Sequence, residues 1–157
     1  MESLETIIAQ LPFFAGLAPQ HLSTITGCAS NVRFAADEFV ARAGGPADTV
    51  WVVRDGRLAI ELFVPGRGAV TIETAGENEV VGFSWLQPPY HLHFDVRALT
   101  ATRALAFDGR CLRGKCAADP TFGYEILGRF SRVMVSRIRS MSLQLLDIYG
   151  DHPVDSE

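Results

Sequence analysis

The chain has 157 residues, 48% of them hydrophobic, which suffices for one domain with a sizeable core and leaves little for a second. Its formal net charge of −4 and isoelectric point near 5.5 argue against nucleic acid or an anionic membrane as a direct partner, because both call for a basic field. No window reaches the roughly 18 apolar residues of a membrane span, and the opening MESLETIIAQ has no basic leader region, so a cytoplasmic location is expected.

Leu4, Ile7, Ile8 and Leu11 recur at helical spacing and predict a short amphipathic helix over residues 3–11. Pro19 suits a first helical position, and Leu22, Ile25 and Ala29 continue one face, so a second helix is expected to about Ser30. From Val32 to Val81 the period changes to short β-runs: VRFAA, EFVARAG, TVWVVRDGRLAIELFV and AVTIETA. Asp55-Gly56, set between two alternating runs, predicts a tight type I′ hairpin, and Gly44-Gly45-Pro46, Pro65-Gly66 and Ala75-Gly76 mark the other turns. Two further strands are expected over 91–99 and 102–107. Strands this short and this closely spaced imply a sandwich, jelly roll or barrel.

Cys28, Cys111 and Cys116 are odd in number and lack C-x-x-C spacing, and are read as reduced, packed thiols. Asp119 followed by Pro120 forms a helix start and Gly150 a stop, which predicts a helix of about thirty residues over 119–149. Leu127, Phe130, Met134, Ile138, Met141, Leu145 and Ile148 form a stripe along it. Such a helix spans about 45 Å, more than the diameter of a domain this small, so part of the stripe needs another cover. A second copy in a coiled-coil homodimer is the economical one; a helix that folds back or frays is the other.

Helix, short strands, long helix: with LPFFAGLAPQHL before the first strand, GGPADTVWVVRDGRLAI over the centre, Gly82, and VRALT at 96–100, the sequence resembles the cyclic-nucleotide-binding domains of CRP/FNR-type regulators. The resemblance spans about residues 8–149. It implies mainly β structure, a jelly roll with N-terminal helices over 1–30, the roll over 31–108, and a C-terminal dimerisation helix. A cyclic nucleotide in the roll is the ligand it implies. The helix-turn-helix that follows in the transcription factors has no counterpart before Glu157, so a stand-alone sensor over 1–157 without direct DNA binding is expected.

The family holds the cyclic phosphate with backbone N–H groups and an arginine, and the ribose with a glutamate after the glycine; helix N-termini and arginine are suited to anions. By that resemblance the ligand-binding positions here are Gly82, Phe83, Ser84, Trp85, Leu92, His93 and Phe94. The glutamate's place is taken by Phe83, the arginine's by Leu92, its hydroxyl neighbour's by His93 and the small residue's by Phe94. An unpartnered phosphate costs several kcal/mol to bury, so tight binding of cyclic AMP in the usual mode is not expected, although the backbone N–H groups of Phe83, Ser84 and Trp85, with the Ser84 hydroxyl, could still hold an anion. Strand alternation would turn Leu92, Phe94, Val96 and Ala98 inward, and His91, His93, Asp95 and Arg97 outward, with Arg97 pairing with Asp95 or stacking locally.

With Phe83 and Trp85, the inward set would either line a site rebuilt for an apolar or aromatic ligand or close it. The corresponding functions are a sensor that signals through its C-terminal helix, and a ligandless protein-interaction module of the same fold. The outward His91, His93 and Asp95 offer a third, lesser alternative, a cupin-like metal site. An iron–sulfur site would need a cysteine cluster, and Cys28 stands alone. Arg129, Arg132, Arg137 and Arg139 are read as solvated flanks of the coiled coil. No motif joins a nucleophile, a base and an orienting group, so no catalysis is expected.

Overall fold

The computed structural model describes residues 1–150; the last seven positions of the expected domain, 151–157, lie outside the described residues. Eight strands form two antiparallel sheets: β1 (Ala29–Phe34), β2 (Phe39–Ala41), β3 (Thr49–Asp55), β4 (Leu58–Val64), β5 (Gly68–Ala75), β6 (Val80–Val81), β7 (Asp95–Ala98) and β8 (Thr102–Asp108). One sheet has the order β1-β8-β3-β6, the other β2-β7-β4-β5, and together they close into the jelly roll. Among the described residues four α-helices flank it: α1 (Leu4–Gln10), α2 (Pro19–Thr26), α3 (Gly109–Ala118) and α4 (Pro120–Gly150). None of the described helices is long and apolar enough to cross a membrane.

The central strands β3 and β8 are buried on both faces, which explains their nearly unbroken apolar runs. Trp51, Val53, Ala104 and Ala106 point into the roll, where they meet Leu58, Val81, Val96 and Ala98. Val50, Val52, Leu105 and Phe107 point the other way, into a second core with Ile8, Phe14 and Ile25 and with Leu112, Phe122, Ile126 and Phe130. One sheet is thus shared between two apolar compartments.

Several sequence expectations are corrected. Asp55-Gly56 does not make a hairpin: β3 and β4 lie in different sheets, and only Gly56 has a positive φ, whereas a type I′ turn needs two. A Cβ on Gly56 would sit 2.6 Å from the carbonyl oxygen of Ala101, so this glycine serves a tight corner between sheets. The true hairpin joins β4 to β5 around Pro65-Gly66. The second helix stops at Thr26, four residues early, because β1 already pairs Ala29 with Phe107.

Helix α3 was not expected from GRCLRGKCAA, whose two glycines disfavour it. Asp108 nucleates it by accepting hydrogen bonds from the N–H groups of Arg110 and Cys111, at 2.9 and 3.1 Å. The reduced-thiol reading also fails for two of the three cysteines. Cys28, at the entry to β1, forms a disulfide with Cys111 on α3 across 83 residues of sequence, a pairing that local spacing does not encode. Cys116 remains free and half-buried.

The start of α4 follows its sequence signal, with the Asp119 carboxylate accepting from the N–H groups of Thr121 and Phe122 at 3.1 and 3.2 Å. Along the expected stripe, Phe130 is buried and Met134 half-buried, while Leu127, Ile138, Met141, Leu145 and Ile148 are exposed. Two of the four arginines taken as solvated flanks are not. Arg129 is buried and donates to the carbonyl oxygens of Phe13 and Ala15, at 3.2 and 2.9 Å, tying α4 to the turn before α2. Arg137 reaches back to the roll.

Candidate functional site

Strand β6 ends at Gly82, whose φ of +106° an L side chain rarely adopts and whose missing Cβ would stand 3.1 Å from the carbonyl oxygen of Thr49. The close approach to β3 requires glycine there. It turns the chain into a single 3-10 turn, Ser84–Leu86. The Trp85 side chain does not enter the roll as expected. It is fully buried in the helix-side core, its ring 5.1 Å from that of Phe130, because a 3-10 turn swings successive side chains to different sides.

The segment 91–94 corrects a second expectation. It is not part of β7, which begins at Asp95. The N–H of Leu92 donates to the carbonyl oxygen of Gly45 and that of Gly44 to the carbonyl oxygen of Leu92, at 2.9 and 2.8 Å, so this stretch pairs with the 44–47 turn instead of continuing the ladder with β4. Strand alternation therefore holds for Val96 and Ala98, both buried, and not upstream: Leu92 is half-buried, and Phe94 is exposed.

His93 joins Leu92 and Phe94 around one space instead of facing away from them. Among the described residues no group of three or more His, Cys, Asp or Glu is placed to hold a metal ion, and the alternation behind the cupin-like reading does not hold. Asp95 accepts from the N–H of Ala43 at 2.7 Å and lies 3.5 Å from Arg42. Arg97 pairs with the buried Glu61 at 2.6 Å and with Asp37 at 2.9 Å, not with Asp95. Its hydrogen bond to Glu61 is the main cause of a raised guanidinium pKa.

Gly82, Phe83, Ser84, Leu92, His93 and Phe94 line a cavity of about 410 Å³ between the roll and α4. Trp51, Ile60, Val81 and Val96 form its floor, and Met134, Ile138 and Met141 of α4 its far wall. The cavity is open: Phe83, Leu92 and Phe94 line it without closing it. Its charged pair, Arg137 with Glu73, was not foreseen from sequence. Arg137 Nε lies 3.1 Å from Glu73 Oε1, its Nη2 donates to the carbonyl oxygen of Val80, and its guanidinium sits 4.8 Å from the centre of the Phe83 ring. Burial pushes the Arg137 pKa down, while Glu73 and Glu79 oppose the shift.

The family model for the cyclic nucleotide-binding domain matches residues 31–119. The chain belongs to the cyclic nucleotide-binding domain family. A CRP-like cAMP-activated global transcriptional regulator of Mycobacterium tuberculosis is 24% identical over 151 residues, covering 96% of this chain and 66% of the relative. The chain thus spans about two thirds of that regulator's length. A cyclic nucleotide-binding domain from Methylobacillus flagellatus superposes with a TM-score of 0.76 at 17% identity, covering 92% of this chain and 81% of that one. The regulatory subunit of a cAMP-independent protein kinase A from Trypanosoma brucei superposes at 0.65 and 16% identity, covering 81% and 45% respectively. At such identities these two likenesses speak for the fold.

Gly82 shapes the turn after β6, and Phe83 and Leu92, at the positions that the sequence resemblance gives to a glutamate and an arginine, line the cavity. Sequence reasoning missed the α4 side of the cavity. Met134, Ile138 and Met141 were visible as an apolar stripe, but no local signal says that the stripe faces the roll before it faces anything else.

Proposed function

We propose that this chain is a sensor or regulatory module, folded as one domain, that takes a small molecule into the cavity beneath α4 and passes its occupancy to a partner through that helix. The observation that carries this reading is the open cavity of about 410 Å³, within the range of small-molecule sites, whose wall is shared by the roll and α4. A side-chain-filled roll would have favoured the ligandless interaction module instead. The coupling runs through Phe83, Arg137 and Glu73: a molecule against the Phe83 ring changes the surroundings of the guanidinium stacked on it, and Arg137 belongs to α4. The exposed Leu145, Leu146 and Ile148 further along suit a second copy, so the module acts as a homodimer.

The regulatory role is supported by the M. tuberculosis relative, a cAMP-activated regulator, and the kinase subunit from T. brucei is a fold neighbour described as cAMP-independent. The test is thermal unfolding with and without millimolar cyclic AMP and cyclic GMP, with amide exchange along α4 read in the same samples. Ligand at about 100 times its dissociation constant adds roughly 2.7 kcal/mol, a rise of several degrees for a chain of this size. An unmoved midpoint removes the family's usual ligand from this cavity without touching the coupling. Phe83→Ala tests that directly: it should loosen protection in the helical turn around Arg137, and unchanged protection would sink the proposal that the wall and the helix communicate.

A further inference from the structure

We infer that the ligand is an uncharged, largely apolar small molecule, aromatic or branched aliphatic, and not a nucleotide; the inference rests on the reading of the cavity as the sensor's site. Four features of the cavity carry it. The floor is aliphatic and aromatic, with Trp51, Ile60, Val81 and Val96 presenting no hydrogen-bonding group except the indole N–H. The opposite wall contributes two methionines, Met134 and Met141, whose unbranched thioethers adapt to the shape of an apolar guest.

The guanidinium on the wall is already engaged. Arg137 is held by Glu73 and by the carbonyl oxygen of Val80, and its face rests on Phe83. A phosphate that recruited it would leave the partly buried Glu73 carboxylate without its cation and beside an added anion, an arrangement that low-dielectric surroundings penalise. The remaining polar side chains, the Ser84 hydroxyl and the His93 ring, suffice for one or two orienting hydrogen bonds. Where the family grips an anion and a diol, this cavity offers a phenyl ring and an isobutyl group.

The experiment uses the full chain and N-phenyl-1-naphthylamine, a neutral apolar fluorophore. The expected result is saturable, blue-shifted emission at one probe per chain that millimolar cyclic AMP does not displace. Leu92→Trp, which fills the cavity from the roll, should weaken the probe about tenfold or more by loss of space. Met141→Glu, at an exposed position on α4 where the fold tolerates charge, should weaken it by a similar factor even if Leu92→Trp disturbs folding.

Displacement of the probe by cyclic AMP or cyclic GMP, with a raised midpoint, overturns the apolar class and leaves the sensor reading standing. Probe binding of equal affinity in the parent and both variants also overturns it, since the fluorophore then sits elsewhere. Binding as expected with amide exchange over 135–148 unchanged upholds the ligand class and removes the signalling role. A chain that takes up neither probe nor nucleotide loses both.

Discussion

The two halves of α4 differ in surroundings far more than in sequence. Over its first three turns Phe122, Ile126, Arg129 and Phe130 are buried against α3, the turn before α2 and the helix-facing side of the roll. From Val135 onward, Ile138, Met141, Leu143, Leu145, Leu146 and Ile148 are exposed, yet they are no less apolar. The first half is architecture, fixed by the same core that orders β3 and β8. The second half is held to the roll by Met134 and Arg137 around the rim of one cavity, and this makes it the part whose position can depend on what the cavity contains.

The largest effects should fall in the first half. Phe130 makes edge-on contacts with Phe13, Phe83 and Trp85 at ring separations of 4.9, 6.0 and 5.1 Å, so Phe130→Ala empties the junction between helix, cassette and N-terminal turn. A loss of about 3–5 kcal/mol is expected in denaturant unfolding. A loss below 1 kcal/mol would mean that the two halves are equally free, and the contrast would be gone. The disulfide comes next. Cys28–Cys111 closes a loop of more than eighty residues and fastens α3, the platform of α4, to the entrance of β1. Reduction, or Cys111→Ser, should lower stability by about 2–4 kcal/mol.

Arg137 lies on the boundary and should give an intermediate result. Arg137→Met keeps the stem and removes the charge that Glu73 and the Val80 carbonyl oxygen accept, leaving the Glu73 carboxylate without its cation. About 1–3 kcal/mol should be lost, with amide protection falling along 135–148 and unchanged over 122–130. Protection lost in both halves would instead break the comparison, because α4 would then move as a rigid rod. Beyond the boundary, Leu145→Glu should leave the monomer's stability within about 0.5 kcal/mol of the parent. Sedimentation should show a weakened dimer, and an unaltered sedimentation coefficient at equal concentration would count against the coiled-coil seam.

The same division separates what the sequence discloses from what it conceals. The start of α4 is legible at Asp119-Pro120, and β3 and β8 are legible as β-branched and apolar runs, because capping and alternation are local rules. Gly82 is legible too, since a positive φ at a close approach is a requirement of one residue. The features missed depend on contacts between distant segments. Asp55-Gly56 carries the local chemistry of a hairpin, but Gly56 packs on Ala101 and Thr102, and the chain changes sheets there. Leu92 and Phe94 look like strand residues until the 44–47 turn claims their backbone. Arg137 reads as a solvated helix residue until Glu73 of β5 and Val80 of β6 are brought beneath it.

The smallest effect expected concerns Cys116, which separates packed from paired sulfur. It lies on α3 beneath the start of α4, where a Cβ on Gly123 would come within 3.2 Å of its own Cβ. Burial pushes its thiol pKa up, because the thiolate is denied water. With the folded-state value above the unfolded one, this contribution to stability is intact below the thiol's ordinary range and is lost as pH rises through the folded value. Near pH 8.5, where an unfolded cysteine is about half ionised, the native chain should therefore react with iodoacetamide at one thiol only, and more slowly than after unfolding. Complete reduction and unfolding should expose all three cysteines. Fast alkylation of the native protein at more than one site would show the Cys28–Cys111 bond open in solution, and α3 would then be a weaker platform for the fixed half of α4.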